Sequence, residues 1–437
     1  MISVALATLG CKVNQYESAG MAETLRENGY SPVTFNGAAD IYIINTCTVT
    51  GKADFQSRQL IRRAARHNPR AAILVTGCYA QVLPEEIALL PGVTMVAGNV
   101  EKGDILGLFR EMAAGVKQSV QSDIRRVTEF STPATGAFAG RTRAFLKIQD
   151  GCDCFCSYCI VPYARGKSRS LAGKEVLKRI QAIGQAGHRE LVLTGINLGA
   201  YGRDLQPACD LPGLLRQVAE IKQLPRLRLS SLEPLEITDA LLEFMRDKDI
   251  FCRHLHIPMQ SGDDGILAAM GRVYDGAFFR GLAHKILTYL PTAAIGVDVM
   301  VGFPGEGEAE FAHTRQLVEE LPLAYLHVFS YSPRPGTPAA ARSDQVGVAD
   351  IKRRGSIMRQ LGISKREAFA RQFLGREMTV LLESKRDRET GWTQGFSNNY
   401  IPVVVRNGQS SLPGSLVTVL AEEVRDGKLI GRIIHHD

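Results

Sequence analysis

Residues 151–162 read GCDCFCSYCIVP, and the spacing of Cys152, Cys156 and Cys159 in that segment, C-x3-C-x2-C, decides how the chain is read. The segment follows a predicted strand at 143–149. Further strand patterns at 190–194, 226–231, 254–258, 293–300 and 324–330 alternate with helical periodicities at 172–186, 210–222, 238–247, 275–289 and 306–320. Six β/α units in series predict an incomplete (β/α)6 barrel, whose chemistry belongs at the C-terminal ends of its strands. The three thiols stand at such an end. Three close thiolates hold an iron–sulfur cubane and leave one iron open, as a catalytic zinc keeps an open position. The other uses of these thiols are a structural zinc or a four-ligand electron-transfer cluster that takes Cys154 as its fourth ligand. Against them, Cys154 alternates with its neighbours and the ferredoxin run C-x2-C-x2-C-x3-C-P is absent.

Upstream, apolar runs at 2–8, 41–45 and 71–76 read as buried strands separated by helices at 14–29 and 52–68, the alternation of a doubly wound α/β domain over 1–115. Cys11 (TLGCKVNQYES), Cys47 (NTCTVT) and Cys78 (TGCYAQ) each lie just past the end of one of these strands. In a parallel sheet those ends share one edge, so three thiols far apart in sequence converge there. A second open-iron cluster accounts for that placement better than three buried, inert cysteines.

The 437 residues are 45% hydrophobic and 22% charged, enough core for about three domains and incompatible with disorder or a small disulfide scaffold. The net charge of +7 allows an anionic partner without requiring one. MISVALATLGC at 1–11 lacks a basic flank and is too short to span a bilayer, and no later stretch is long and apolar enough; a cytoplasmic location with no membrane association is expected. Nine cysteines in that compartment then mean reduced thiols, metal ligation or catalysis. A polar Gly, Ser and Pro stretch reads as a linker at 116–140, the barrel core as 141–372, and the remaining 373–437, with five short strand patterns, as a small all-β barrel.

With Tyr158 in the aromatic slot, the C-x3-C-x-aromatic-C segment resembles the radical S-adenosylmethionine (SAM) superfamily. The resemblance implies that the methionyl amine and carboxylate of SAM chelate the open iron and that one electron cleaves SAM to a 5′-deoxyadenosyl radical. Thr194, Gly195 and Asn197 after the second strand, Ser230 and Glu233 after the third, and Gln260 after the fourth resemble the family's SAM-contacting segments. Gly195 permits close approach, and Glu233, Gln260 and Asp298 have the groups to bond an amine or ribose hydroxyls, although each polar side chain serves equally as a rim hydrogen bond. Two three-cysteine sets in this order, followed by a small barrel, resemble the methylthiotransferase family, in which that barrel is the TRAM domain. CKVNQYE at 11–17, NTCTVT at 45–50, Ala53-Asp54 and Ser57-Arg58 are similar to the bacterial branch that modifies tRNA adenosine 37 bearing an N6-threonylcarbamoyl group. The isopentenyl-adenosine and ribosomal-protein branches are the alternatives. The resemblance implies two [4Fe–4S] clusters, SAM, the tRNA anticodon loop as substrate, and an electron donor such as flavodoxin or ferredoxin. An unactivated C2–H has no useful acidity, so no side chain is assigned as a proton-transfer catalyst.

Basic residues cluster after Cys47 (Lys52, Arg58, Arg62, Arg63, Arg66, Arg70), around the cysteine loop (Arg141, Arg143, Lys147, Arg165, Lys167, Arg169, Lys174) and along 342–376, as phosphate neutralisation would require. Trp392, Phe396, Tyr400 and Arg406 of the last barrel are candidates to stack on bases, with core packing as the alternative. Gly166-Lys167-Ser168 imitates a phosphate-binding loop but lacks its first glycine, Val161 standing there. His254, His256 and His327 read as strand-end hydrogen bonders, and Cys209 and Cys252 carry no pattern.

Overall fold

The first sheet is built from runs such as IYIIN and AILVT that bury both faces, the mark of a parallel sheet covered by helices on either side. A computed structural model describes residues 1–116, 119–132, 142–406 and 412–436. They fall into two units, one drawn from 1–137, 147–171 and 332–341, the other from 138–146, 172–331 and 342–437.

In the first unit β1 (Ser3–Thr8), α1 (Lys12–Glu27), β2 (Ser31–Val33), β3 (Ile41–Thr46), α2 (Gly51–His67) and β4 (Ala72–Gly77) are followed by α3 (Cys78–Val82), α4 (Pro84–Ala88), β5 (Val93–Ala97), α5 (Ile105–Ala113) and β6 (Ser119–Val120). The strands lie parallel in the order β2-β1-β3-β4-β5-β6. Tyr42, Ile44, Ile73 and Val75 pack on Ile61 and Ala64 of α2; Ile43 and Leu74 face Met21 and Leu25 of α1 and Leu108 and Phe109 of α5. This is the doubly wound domain the periodicity predicts, with three strands added, β5 and the two edge strands. The edge strands β2 and β6 are too short to show alternation, and β6 falls within the stretch read as a linker. Residues 117–118 and 133–140 of that stretch, and Arg141, lie outside the described residues. The same unit holds the cysteine loop between β8 (Gln149–Asp150) and β9 (Arg169–Ser170), which pair antiparallel, with α6 (Val161–Arg165) between them.

The second unit carries six barrel strands as two triplets. β7 (Ala144–Lys147), whose last residue groups with the first unit, joins β10 (Glu190–Thr194) and β11 (Arg226–Leu229). β12 (His254–Gln260), β13 (Ala294–Val301) and β14 (Tyr325–Ser330) form the other triplet. The Leu232 amide donates to the His256 carbonyl at 3.0 Å, linking the two triplets. α7 (Gly173–Gln185), α8 (Leu211–Val218), α9 (Asp239–Asp247), α10 (Asp264–Ala269), α11 (Gly276–Tyr289) and α12 (Glu308–Glu320) intervene, so the six-unit incomplete barrel stands. α13 (Val348–Arg371) leads to a closed five-stranded barrel of β15 (Glu377–Arg386), β16 (Thr393–Ser397), β17 (Pro402–Val405), β18 (Leu416–Arg425) and β19 (Lys428–His436), ordered β15-β16-β17-β19-β18. Among the described residues no helix is long and apolar enough to cross a membrane.

Candidate functional site

The first cysteine set sits where the sheet topology puts it. Cys11 is the N-cap residue of α1, Cys47 follows β3, and Cys78 opens α3 directly after β4, so the three stand at the C-terminal ends of three adjacent strands. Two glycines make the approach feasible. Gly10 has φ +93°, and a Cβ there would lie 2.7 Å from Cys47 Cβ and 2.9 Å from its Sγ. Gly77 has φ +98°, and a Cβ there would collide with the Thr46 carbonyl. Burial pushes the Cys11 thiol up, Arg165 pulls it back, and neighbouring Cys78 raises it again. Burial, then Cys78, pushes Cys47 up to about 12. Cys78 thus bears on both Cys11 and Cys47, which draws the three into one locus. Thr48 Oγ1 and Asn45 Oδ1, flanking Cys47, are buried with no hydrogen-bond partner among the described residues. Three thiols gathered at one sheet edge beside unsatisfied buried polar atoms fit metal ligation.

The second set is gathered by its own loop. Gly151, at φ +74°, has no room for a Cβ against the Lys167 carbonyl, and the Cys152 amide donates to the Gly166 carbonyl at 3.0 Å. The Cys159 amide donates to Cys156 O at 2.9 Å, a turn that brings the last two thiols to one side. A hydrogen bond with Cys154, then burial, holds the Cys152 thiol well above its ordinary value, with Cys159 adding to the effect. Tyr158 is half-buried within the turn. The donors here, three soft thiols in a short loop, also fit an iron–sulfur cubane.

The polar residues at the barrel rim are placed as follows. Thr194 ends β10 and is buried, Gly195 follows half-buried, and the Asn197 amide, with its oxygen and nitrogen exchanged, donates to both Glu236 oxygens at 3.0 Å. Ser230 Oγ is buried and unpartnered among the described residues. Glu233 accepts from Arg272 at 2.6 Å. Gln260 ends β12 at φ +64°, a conformation rare outside glycine and often a mark of a working site. Asp298 Oδ1 lies 2.8 Å from His256 Nε2 and 3.4 Å from His327 Nδ1. Burial opposes its ionisation, but the two imidazoles outweigh that and hold it down to about 2. His254 and His256 both meet the Tyr325 hydroxyl, at 2.8 and 3.1 Å, as hydrogen-bonding residues of the barrel interior.

Several functional-looking groups escape sequence reasoning. Glu236, whose carboxyl burial pushes up to about 7, sits among Asn197, Glu233 and Arg203. Only its i+3 spacing from Glu233 hints at it. Charge counts also mislead around the cysteine loop: Lys147, Arg165 and Arg169 are buried in ion pairs with Glu17 and Asp150 and offer nothing to an external phosphate. On α13, Arg354 is likewise buried against Glu306. The stacking candidates divide. Phe396 and Tyr400, both half-buried, stack at 4.9 Å with Arg143 and Arg228 over their faces at 4.8 Å each, so their rings are already covered; Arg406 pairs with Glu422 and Glu423, and Trp392 is half-buried.

Comparison with known proteins agrees with this geometry. Residues 3–98 match the model of uncharacterized protein family UPF0004, and 146–318 match the radical SAM superfamily. The chain is 40% identical over 423 residues to the threonylcarbamoyladenosine tRNA methylthiotransferase MtaB of Bacillus subtilis, covering 96% of this chain and 93% of that one. It is 36% identical to the protein of the same name from Aquifex aeolicus, covering 96% and 100%. Among solved structures, the radical SAM methyltransferase TsrM of Kitasatospora setae, with cobalamin and a [4Fe-4S] cluster bound, shares the fold at TM-score 0.56 and 15% identity, over 77% of each chain. Two sets of three cysteines, a six-strand radical SAM barrel and end-to-end likeness to these relatives lead to one assignment: the chain belongs to the threonylcarbamoyladenosine tRNA methylthiotransferase family of radical SAM proteins.

Proposed function

We propose that the protein attaches a methylthio group to C2 of N6-threonylcarbamoyladenosine at position 37 of the tRNA anticodon loop, in the cytoplasm, with an electron donor such as flavodoxin or ferredoxin. In this reading Cys152, Cys156 and Cys159 hold one [4Fe–4S] cluster and Cys11, Cys47 and Cys78 hold another. Tyr158, Thr194, Gly195, Asn197, Ser230, Glu233, Gln260 and Asp298 contact SAM. Bound at Cys152, Cys156 and Cys159, a cluster would supply the single electron that turns SAM into a radical source, which a C–H bond without acidity requires. The side chains bind and orient. Ser230 keeps a buried hydroxyl free for a ligand, Arg272 fixes the Glu233 carboxylate, and His256 with His327 keeps Asp298 ionised. The domains follow as 1–115, 141–372 and 373–437 with a linker at 116–140.

The observation that supports the reading most is the meeting of Cys11, Cys47 and Cys78 at one sheet edge, a second set of ligands for which SAM cleavage alone has no use. For the RNA, support comes from α2. Phe55, Gln59, Arg62 and Arg66 recur at helical spacing on its exposed face, and Arg62 and Arg66 have no ion-pair partner among the described residues.

The test uses purified, anaerobically reconstituted protein with tRNA carrying threonylcarbamoyladenosine. Wild type is expected to hold about eight irons, four per cluster, and to form methylthiolated nucleoside. Cys47→Ala should keep SAM cleavage and lose product, and Cys156→Ala should lose both. Product formation by Cys47→Ala would overturn the assignment of the first set.

A further inference from the structure

Beneath the two cysteine sets lies a buried ionic network that the chemistry described so far does not use. Glu17, six residues after Cys11, is approached by Lys102 Nζ at 2.5 Å, Lys147 Nζ at 2.7 Å and Arg165 Nη1 at 2.6 Å. Asp150, two residues before Cys152, is approached by Lys147 at 2.6 Å, Arg165 at 3.3 Å and Arg169 at 3.7 Å. Arg165 stands six residues after Cys159 and also donates to Asn14 Oδ1. Lys102 donates to Asn99 Oδ1 at 2.6 Å; Asn99 Nδ2 in turn lies 3.8 Å from Cys78 Sγ and donates to the Ala164 carbonyl at 2.7 Å. Every charged side chain in the network is at most 8% exposed.

The charges do not balance. Four cations face two carboxylates, and a surplus of buried positive charge is costly unless an anion lies near it. Arg165 Nε is buried with no hydrogen-bond partner among the described residues, so part of this cation's capacity is unspent. The surplus lies beside the first set: Lys102 reaches Cys78 Sγ through Asn99, and Arg165 donates to Asn14, whose amide donates at 2.9 Å to the carbonyl of Thr46, the residue before Cys47. A [4Fe–4S] core under three thiolates is a monoanion when oxidised and a dianion after taking one electron. Buried positive charge stabilises the dianion more, and therefore eases reduction.

We propose that Lys102 and Arg165, held in place by Glu17, are positioning residues that raise the reduction potential of the cluster on Cys11, Cys47 and Cys78. The proposal rests on the reading that these three cysteines hold a cluster. It gives the network a role distinct from packing, because a structural brace alone would lose stability on substitution without moving a potential in the direction set by the charge removed.

The test is a potentiometric titration followed by electron paramagnetic resonance. It uses the full chain with Cys152, Cys156 and Cys159 all changed to Ala, so that one cluster gives the signal. In that background Lys102→Met should move the midpoint to lower potential, Glu17→Gln should move it to higher potential, and Lys102→Arg should stay near the parent. Asn99→Asp, isosteric and adding negative charge beside Lys102 and Cys78, should also lower it, and serves if Lys102→Met fails to fold. Shifts of one sign in both Lys102→Met and Glu17→Gln, or an unmoved midpoint in Asn99→Asp, would overturn the electrostatic proposal while leaving the cluster reading intact. A background protein that binds no iron, in place of about four, overturns both.

Discussion

Lys102 Nζ stands 2.5 Å from Glu17 Oε2, with the two side chains 4% and 3% exposed. The pair ties α1, which begins beside Cys11, to the short turn after β5 that carries Asn99 and, through it, Cys78. Glu17 serves three cations at once. Burial opposes its ionisation, but Arg165, Lys102 and Lys147 outweigh that and hold its carboxyl well below the usual range.

Removing that carboxylate leaves three buried cations without their common partner. Glu17→Ala is expected to destabilise the first unit by about 3–5 kcal/mol, the usual cost of breaking a buried ion pair from one side. Chemical denaturation followed by a probe in that unit measures it. A loss within the range of an ordinary surface substitution would mean that the network is not the brace its burial implies.

Much of this site is legible in the sequence. Apolar runs ending in Gly-Cys, Thr-Cys and Gly-Cys mark strands that stop at a shared edge, and the left-handed φ at Gly10 and Gly77 explains why glycine precedes two of the three cysteines. The charge network was not legible. Its members reach Glu17 from 85, 130 and 148 residues away, and no local pattern couples positions so far apart. The same limit turned Lys147, Arg165 and Arg169 into apparent RNA contacts, since composition records a charge but not the carboxylate that neutralises it. Phe396 and Tyr400 were ambiguous for a related reason: an aromatic residue in a small barrel looks the same whether a base or a guanidinium covers it, and here Arg143 and Arg228 do.

Glu236 gives the barrel rim a pH dependence. Burial, which disfavours the charged form, pushes its carboxyl from about 4.5 up to about 7. Between those values the folded chain keeps a proton that the unfolded chain has released, so stability falls as pH rises through that window. Melting temperatures of wild type and Glu236→Gln, compared from about pH 5 to about pH 8, should converge at the acid end, with wild type losing ground toward neutrality. Parallel curves would show that Glu236 is not protonated in the folded chain.

The exposed face of α2 makes a prediction about RNA. Arg62→Ala with Arg66→Ala should weaken tRNA binding equally for different tRNA sequences and reduce the salt slope of the affinity by roughly one per arginine, because phosphate contacts release counterions without reading bases. SAM cleavage in the absence of tRNA should be unchanged. An unaltered salt slope would move the phosphate track to another surface, with the exposed Lys352, Arg359 and Arg366 of α13 next in line.

The central claim, methylthiolation of threonylcarbamoyladenosine in tRNA, is tested most directly by mass spectrometry of total tRNA nucleosides from cells with and without the gene. The account predicts that the methylthio form of threonylcarbamoyladenosine disappears on deletion, that its unthiolated precursor accumulates, and that Cys47→Ala does not restore it. An unchanged level of that nucleoside in the deletion strain would contradict the account and send the search for substrate to isopentenyl-adenosine or to a ribosomal protein.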